Sequence, residues 1–297
     1  MGSIILNAIH LSELKVGVII NASSGSYDSK CEDKTLDILK GAGIVEAKIW
    51  CGDADQMERS FTEAARQKLE VLVVLGGDGT IRTAAERCGA ERSYLIPLPG
   101  GTMNMLARAL YGDMSWEDAL DKTLAAPSAK ALSGGRVADK QFFIAAIVGA
   151  PTLWTEARES IRERDIGDAI EKGTAAFRNM FETKVWYFIS GGKKGEAEAV
   201  AVICPLISEE MSDSEQALEA AAIKVENVAE AIGLLTVAAF GKWRDNRNIV
   251  LTKSNQVRVQ SSKDIRGILD GERVNLGRSA EINFVSKAVT VLVPTSG

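Results

Sequence analysis

Histidine is almost missing from this sequence: His10 is the only one among 297 residues. Ser-His-Asp and Cys-His sites and the HExxH zinc site each need a histidine placed by fold and motif. His10 precedes the first predicted strand and fits none of them. Acid–base chemistry must therefore fall to carboxylates or give way to positioning. Cysteine is also sparse. Cys31, Cys51, Cys88 and Cys204 are widely spaced with no CxxC pair. That pattern argues against a zinc site or a disulfide framework, and for reduced thiols acting as small hydrophobes in a cytoplasmic protein. Basic charge is outweighed: 35 Lys and Arg face 40 Asp and Glu, a net charge of −5. Without a chain-wide basic footprint, nucleic acid is not an expected partner. The longest apolar stretches, Phe142 to Trp154 and Ala231 to Phe240, fall short of the roughly 20 residues that span a bilayer. The first residues lack the basic start and long apolar core of a secretory signal. Peripheral contact with the inner membrane face stays open.

The chain is 46% hydrophobic and can bury a sizeable core in one large or two ordinary domains. Its first part alternates strands and helices. Val16 to Ile20, Val45 to Trp50, Val71 to Leu75 and Tyr94 to Leu98 read as strands. Helices are expected over Glu32 to Gly41, Asp55 to Lys68, Ile81 to Cys88 and Met103 to Leu110. Val71 to Leu75 is a Val-rich run bounded by glycines, as in a strand buried on both faces. The alternation predicts an α/β domain with a parallel sheet. After Pro127 short alternating strands dominate, interrupted by helical stretches at Leu153 to Met180 and Val228 to Trp243. The predicted organisation is an α/β domain over residues 1–128, then a β-rich antiparallel domain over 129–297 whose last strand can return to the first domain.

Two loops concentrate the chemistry. Gly76-Gly77-Asp78-Gly79-Thr80 joins an apolar strand to a helix. Glycines let backbone N–H groups approach an anion, and the helix N-terminus adds its positive dipole end. Asp78 is out of place beside phosphates unless a cation lies between them, so the loop reads as Mg²⁺-binding or proton-accepting. A plain strand–helix turn with Asp as a cap is the simpler alternative. A Walker A loop would need Gly-Lys-Ser/Thr, and a dinucleotide fingerprint a third glycine where Arg82 stands. Pro97-Leu98-Pro99-Gly100-Gly101-Thr102-Met103-Asn104 again joins strand to helix, and Asn21 to Ser26 supplies a third small-residue loop. Such loops at the C-terminal ends of adjacent parallel strands face one crevice, where open α/β sheets bind ligands. Ser133-Gly134-Gly135-Arg136 has no helix after it and reads as a turn. Asp270-Gly271-Glu272 reads from spacing alone as a hairpin turn.

These residues resemble the diacylglycerol kinase catalytic-domain family, which includes sphingosine kinases and soluble bacterial lipid kinases. The GGDGT signature matches Gly76 to Thr80. The Pro-x-Gly-Thr-x-Asn-x-x-Ala segment matches Pro99 to Ala107, and the late Asp-Gly-Glu matches Asp270 to Glu272. The resemblance covers essentially the whole chain. It implies an α/β nucleotide domain followed by a β-sandwich-like lipid domain, and ATP- and Mg²⁺-dependent phosphorylation of a lipid hydroxyl. Diacylglycerol is the first expected acceptor, with sphingoid or ceramide types next. Carried over by residue, it implies that Asn21, Ser24 and Gly25 border the ATP. Gly76, Gly77, Asp78, Gly79, Thr80, Gly101, Thr102 and Asn104 surround its phosphates. Asp78 serves Mg²⁺, and Asp78, Asp270 or Glu272 accepts the hydroxyl proton. The first loop lacks the family's proline, with Ala22 in its place, and Arg87-Cys88 stands where an Asn-Gly pair is usual.

Phosphoryl transfer needs positioning and charge neutralisation more than covalent help, which suits a chain with one histidine. Trp154, Trp186, Phe142, Phe143, Phe177 and Phe181 are candidates for a lipid slot, though each fits ordinary core better. Two alternatives stand beside the lipid kinase. An NAD kinase-like enzyme shares the GGDGT loop but carries a glutamate after the second loop, where this chain has Met105. A non-catalytic lipid- or nucleotide-binding regulator is disfavoured by the retention of Asp78, Asp270 and Glu272. Oligomeric state is not legible.

Overall fold

The structure is a computed structural model that describes residues 9–149, 184–208, 211, 216–223 and 249–295. Met1–Leu132 with Lys287–Gly297 form one compact unit, and Ser133–Ser286 form a second. The sequence pattern placed the change of architecture at residue 128; the compact units divide after Leu132.

The first unit runs β1 (Val16–Asn21), α1 (Cys31–Gly41), β2 (Lys48–Gly52), α2 (Met57–Arg66), β3 (Val71–Gly76), α3 (Asp78–Glu91), β4 (Tyr94–Pro99), α4 (Met105–Tyr111) and α5 (Trp116–Ala125). Its sheet is parallel in the order β2-β1-β3-β4. Every residue of β3 is buried, as expected for a central strand covered on both faces. Met57, Phe61 and Ala64 form the buried stripe of α2 at helical spacing. Helix α5 is additional to the four helices expected in this part of the chain. Its start is marked by Ser115, whose hydroxyl accepts the Asp118 amide at 3.1 Å. The last strand, β16 (Ser279–Pro294), ends in this unit, where Thr290 and Val291 pair in parallel with Tyr94 and Leu95.

The second unit is antiparallel. It takes in the end of β5 (Pro127–Val137), then β6 (Lys140–Phe142), β7 (Ala145–Gly149), β8 (Val185–Ile189), β9 (Lys193–Ala197), β10 (Ala199–Ile203), β11 (Leu218–Ile223), β12 (Ile249–Ser254), β13 (Gln256–Gln260), β14 (Arg266–Leu269), β15 (Glu272–Asn275) and the start of β16. One sheet runs β12-β11-β10-β7-β14-β15, and in the other β16-β13-β8-β9 are neighbours. Val148, Val200 and Val202 of the first sheet share a buried core with Val185, Tyr187, Val257 and Ile282 of the second, which makes the unit a sandwich.

Three expectations change. Ser133-Gly134-Gly135-Arg136 is not a turn but part of β5, where Gly135 pairs with Phe142. A Cβ at Gly135 would come 2.1 Å from the Phe142 ring, so the glycine makes room for an aromatic neighbour. The run Gln141 to Val148, which reads from the sequence as one strand, is two, β6 and β7, separated at Phe143-Ile144. Strands β9 and β15 were not anticipated. The helical stretches at 153–180 and 228–243, and Trp154, Phe177 and Phe181, lie outside the described residues. Among the described residues no helix is long and apolar enough to cross a membrane.

Candidate active site

The three small-residue loops follow β1, β3 and β4, neighbours in one parallel sheet, and hydrogen bonds tie them together. Asn21 Nδ2 donates to Thr80 Oγ1 at 2.9 Å, linking the first loop to the second. The Ser26 amide donates to the Gly100 carbonyl at 2.9 Å, linking the first to the third. The Gly100 amide donates to the Gly76 carbonyl at 2.9 Å, linking the third to the second. Within the first loop Asn21 Oδ1 accepts the Ser23 amide at 3.0 Å and Ser24 Oγ donates to the Asn21 carbonyl at 2.7 Å. These bonds order a turn that has no proline to stiffen it.

Helix α3 begins at Asp78, three residues ahead of the sequence expectation, with Gly77 as its N-cap. Most of the GGDGT run is therefore the first turn of a helix, whose amides have no intrahelical acceptor. Such a turn directs N–H donors and a positive dipole end at an incoming anion. The two glycine pairs touch through their backbones. A Cβ on Gly100 would lie 2.7 Å from the Gly76 nitrogen, and one on Gly101 2.7 Å from the Gly77 Cα. Gly100 was absent from the sequence-derived site; the signal for it was the matching Gly-Gly pair in two adjacent loops.

Asp78 caps a helix, but not its own. Its Oδ1 accepts the Met105 amide at the start of α4, so one carboxylate ties the β3–α3 loop to the β4–α4 loop. Helix α4 starts at Met105 rather than Met103 because Asn104 is left-handed, with φ of 50°. The Asn104 side chain holds that turn, accepting the Gly101 amide and donating to the Gly101 carbonyl, both at 2.7 Å. Thr102 lies exposed at the loop tip and Gly25 exposed in the first loop. Arg87 and Cys88, at the family's Asn-Gly position, serve packing. Arg87 pairs with Glu58 of α2 at 2.6 Å and lies over the Phe61 ring, and burial pushes the Cys88 thiol up to about 12.

Beside the first loop, at the ends of β1 and β2, a recess of about 660 Å³ is lined by Ala22, Tyr27, Trp50, Cys51, Gln56 and Arg59, among others. Burial and a hydrogen bond with Glu32 push the half-buried Cys51 thiol up, and its bond with Cys51 pushes the Tyr27 hydroxyl up. Both stay neutral near pH 7, so this part of the recess offers polar, uncharged contacts beside aromatic surface.

In the second unit Asp270 and Gly271 form the two-residue turn between β14 and β15, with Leu269 paired to Glu272. Their φ values of 46° and 89° suit an Asp-Gly hairpin turn. Asp270 is buried, and its carboxylate accepts the amides of Phe143, Ile144 and Ala145 at 2.7, 2.9 and 2.9 Å. Its own amide donates to the Ala145 carbonyl at 2.9 Å. Glu272 stands exposed at the first position of β15. Phe142 and Phe143 are fully buried, whereas Trp186, weighed with them as a lipid-slot or core residue, is 52% exposed.

The loop contact makes a sharp prediction. In Gly101→Ala the new Cβ meets backbone, which cannot rotate away, so the two loops must part. The expected cost is about 1–3 kcal/mol, seen as a lower thermal midpoint. Gly25→Ala is the control, since nothing lies within 4 Å of its Cβ, and its midpoint should not move. Equal midpoints for both variants would disprove the tight contact.

Residues 15–135 match the family described as the diacylglycerol kinase catalytic domain. A diacylglycerol kinase of Bacillus subtilis (strain 168) is 27% identical over 292 residues, covering 89% of this chain and 94% of its own. A protein of Streptococcus pneumoniae serotype 4, named as a candidate lipid kinase, is 25% identical over 300 residues, covering 93% and 97%. The crystal structure of a diacylglycerol kinase from Bacillus anthracis str. Sterne shares the fold, with a TM-score of 0.67 at 16% identity over 95% of this chain and 97% of that one. The matched span holds all three loops and the Asp78 tie between them, so the site lies in the part of the chain that is similar to the diacylglycerol kinase catalytic domain, and these likenesses support a lipid kinase enzyme.

Proposed function

We propose that this protein transfers the γ-phosphoryl group of Mg²⁺-bound ATP to the hydroxyl of a neutral lipid, diacylglycerol before sphingoid or ceramide-type alcohols. The observation that carries the reading is the pair of backbone-contacting Gly-Gly loops joined by Asp78. Gly76, Gly77, Gly79 and Thr80 at the start of α3, with Gly101, Thr102 and Asn104, hold the phosphates. Asn21, Ser24 and Gly25 border the nucleotide, whose base takes the recess beside Tyr27 and Trp50. The names of the relatives support the acceptor class.

The residues fit a magnesium ion bound largely through substrate. Among the described residues no group of three or more His, Cys, Asp or Glu stands together. A Mg²⁺ ion needs no such cage, since one or two carboxylates with phosphate oxygens and water complete its shell. Asp78 is the carboxylate for that role. Bound Mg²⁺ supplies neutralisation of the charge on the transferring group.

Of the three candidate proton acceptors, Asp270 has its carboxylate spent on three backbone amides. Asp78 is committed to the two loops. Glu272 is the remaining choice, and Asp270 positions it by fixing the turn that precedes it. Incubation with labelled ATP, Mg²⁺ and a panel of diacylglycerol, sphingosine, ceramide and NAD tests the reading. Label should enter diacylglycerol first; label in NAD and in no lipid overturns it. Glu272→Gln should lower kcat by about 10²- to 10⁴-fold with little change in KM. Wild-type kcat in that variant would remove Glu272 from the mechanism.

A further inference from the structure

Four large hydrophobic side chains are exposed among the described residues: Val45, Trp186, Phe188 and Ile207. Two of them share one strand and one face. Strand β8 reads Val-Trp-Tyr-Phe-Ile, with Val185, Tyr187 and Ile189 turned into the sandwich core and Trp186 and Phe188 outward, 52% and 41% exposed. The pairing surrounds them with polar and charged neighbours. Phe188 lies between Lys194 of β9 and Arg258 of β13, and Trp186 between Glu196 and Gln260. Arg258 is paired with Glu281 at 3.0 Å, so those two charges cancel. Beyond Trp186, at the end of the strand, Ser261 gathers three more cations. Its hydroxyl donates to the Lys184 carbonyl and accepts the Lys263 amide, and its own amide donates to the Arg278 carbonyl. Lys184, Lys194, Lys263 and Arg278 are all exposed, against the exposed acids Glu196 and Asp264. This face is locally basic in a chain whose net charge is −5.

We propose that the outer face of β8, carrying Trp186 and Phe188 with Lys184, Lys194, Lys263 and Arg278 at its margin, is the surface by which this protein docks onto an anionic lipid bilayer. An indole ring is suited to headgroup depth, with an apolar body and a polar N–H. Lysine and arginine beside it meet lipid phosphates, each strengthening adsorption to an anionic surface about fivefold. A protein partner is the poorer fit. Two half-exposed aromatics on an open sheet face offer far less than the about 800 Å² that each side of a stable protein interface buries. A bilayer needs only shallow insertion and charge complementarity. Docking goes beyond the phosphoryl-transfer reading and does not depend on it.

The test uses the full chain and vesicles that contain neither ATP nor diacylglycerol, so failure of docking and failure of the kinase reading are read separately. The protein should co-sediment with vesicles of phosphatidylcholine plus phosphatidylglycerol, more weakly with phosphatidylcholine alone, and less in high salt. Trp186→Ser with Phe188→Ser should reduce partitioning about tenfold or more, and Lys184→Glu with Lys263→Glu by at least as much. Trp186→Phe keeps the apolar surface and so should still bind, but it should lose the vesicle-induced blue shift in fluorescence. That variant keeps the proposal testable if the serine variants fold poorly. The proposal is overturned if the folded serine and glutamate variants bind as wild type, if the blue shift survives Trp186→Phe, or if the serine variant instead changes the oligomeric state.

Discussion

Asp78→Asn should slow phosphoryl transfer by about 10³-fold while leaving the fold almost untouched. Asparagine keeps an oxygen where Asp78 Oδ1 accepts the Met105 amide, so the tie between the β3–α3 and β4–α4 loops survives. What disappears is the negative charge. In a loop built of glycines at a helix N-terminus, the anion-binding machinery is the backbone, and the carboxylate is the one group able to attract a cation to it. The variant should therefore need more Mg²⁺ for its residual activity, with a melting midpoint within a few degrees of wild type.

Asp78→Ala separates the two tasks. It loses the charge and also the helix cap on α4, so it should be destabilised by about 1–2 kcal/mol in addition to being inactive. Single-turnover transfer from labelled ATP, together with thermal melts of both variants, gives the full comparison. Wild-type transfer in Asp78→Asn would leave Asp78 a structural tie only.

The site was legible in the sequence wherever backbone chemistry demands a residue type. Val71 to Leu75 could hardly be other than a buried strand, and Gly76-Gly77 and Gly100-Gly101 announced turns that approach something closely. That they approach one another was not written in either loop; it follows from β3 and β4 being neighbours. Polar strands were illegible for a related reason. Lys193-Lys194-Gly195-Glu196-Ala197 has no apolar alternation, and it is a strand because β8 offers it a hydrogen-bonding edge. Gly135 misled in the opposite sense, since Gly-Gly-Arg looks like a turn until the Phe142 ring is placed against it. Trp186 misled because aromatic residues in an alternating strand suggest core on one face, and the pattern alone does not say which face is wet. Helix α5 was legible and passed over: Ser115 with Asp118 three residues on is an N-terminal signature.

Asp270 carries the largest expected effect on stability. Asp270→Ala removes a buried acceptor from three amide donors at once, those of Phe143 and Ile144 between β6 and β7 and of Ala145 at the start of β7. Leaving buried donors unmet costs about 1–3 kcal/mol each, and alanine is a poor occupant of a left-handed φ of 46°. Partial rescue by water or by small shifts brings the expected loss to about 4 kcal/mol, or a midpoint lower by about 10 °C. Asp270→Asn should lose roughly half of that, because its remaining oxygen still accepts while its amide nitrogen faces another donor. The two variants also separate a positioning residue from a proton acceptor. If Asp270 works by fixing the turn before Glu272, Asp270→Asn assayed well below its midpoint should keep measurable transfer with the pH profile of wild type, whereas Glu272→Gln should not. A stable but inactive Asp270→Asn beside an active Glu272→Gln would exchange the two roles.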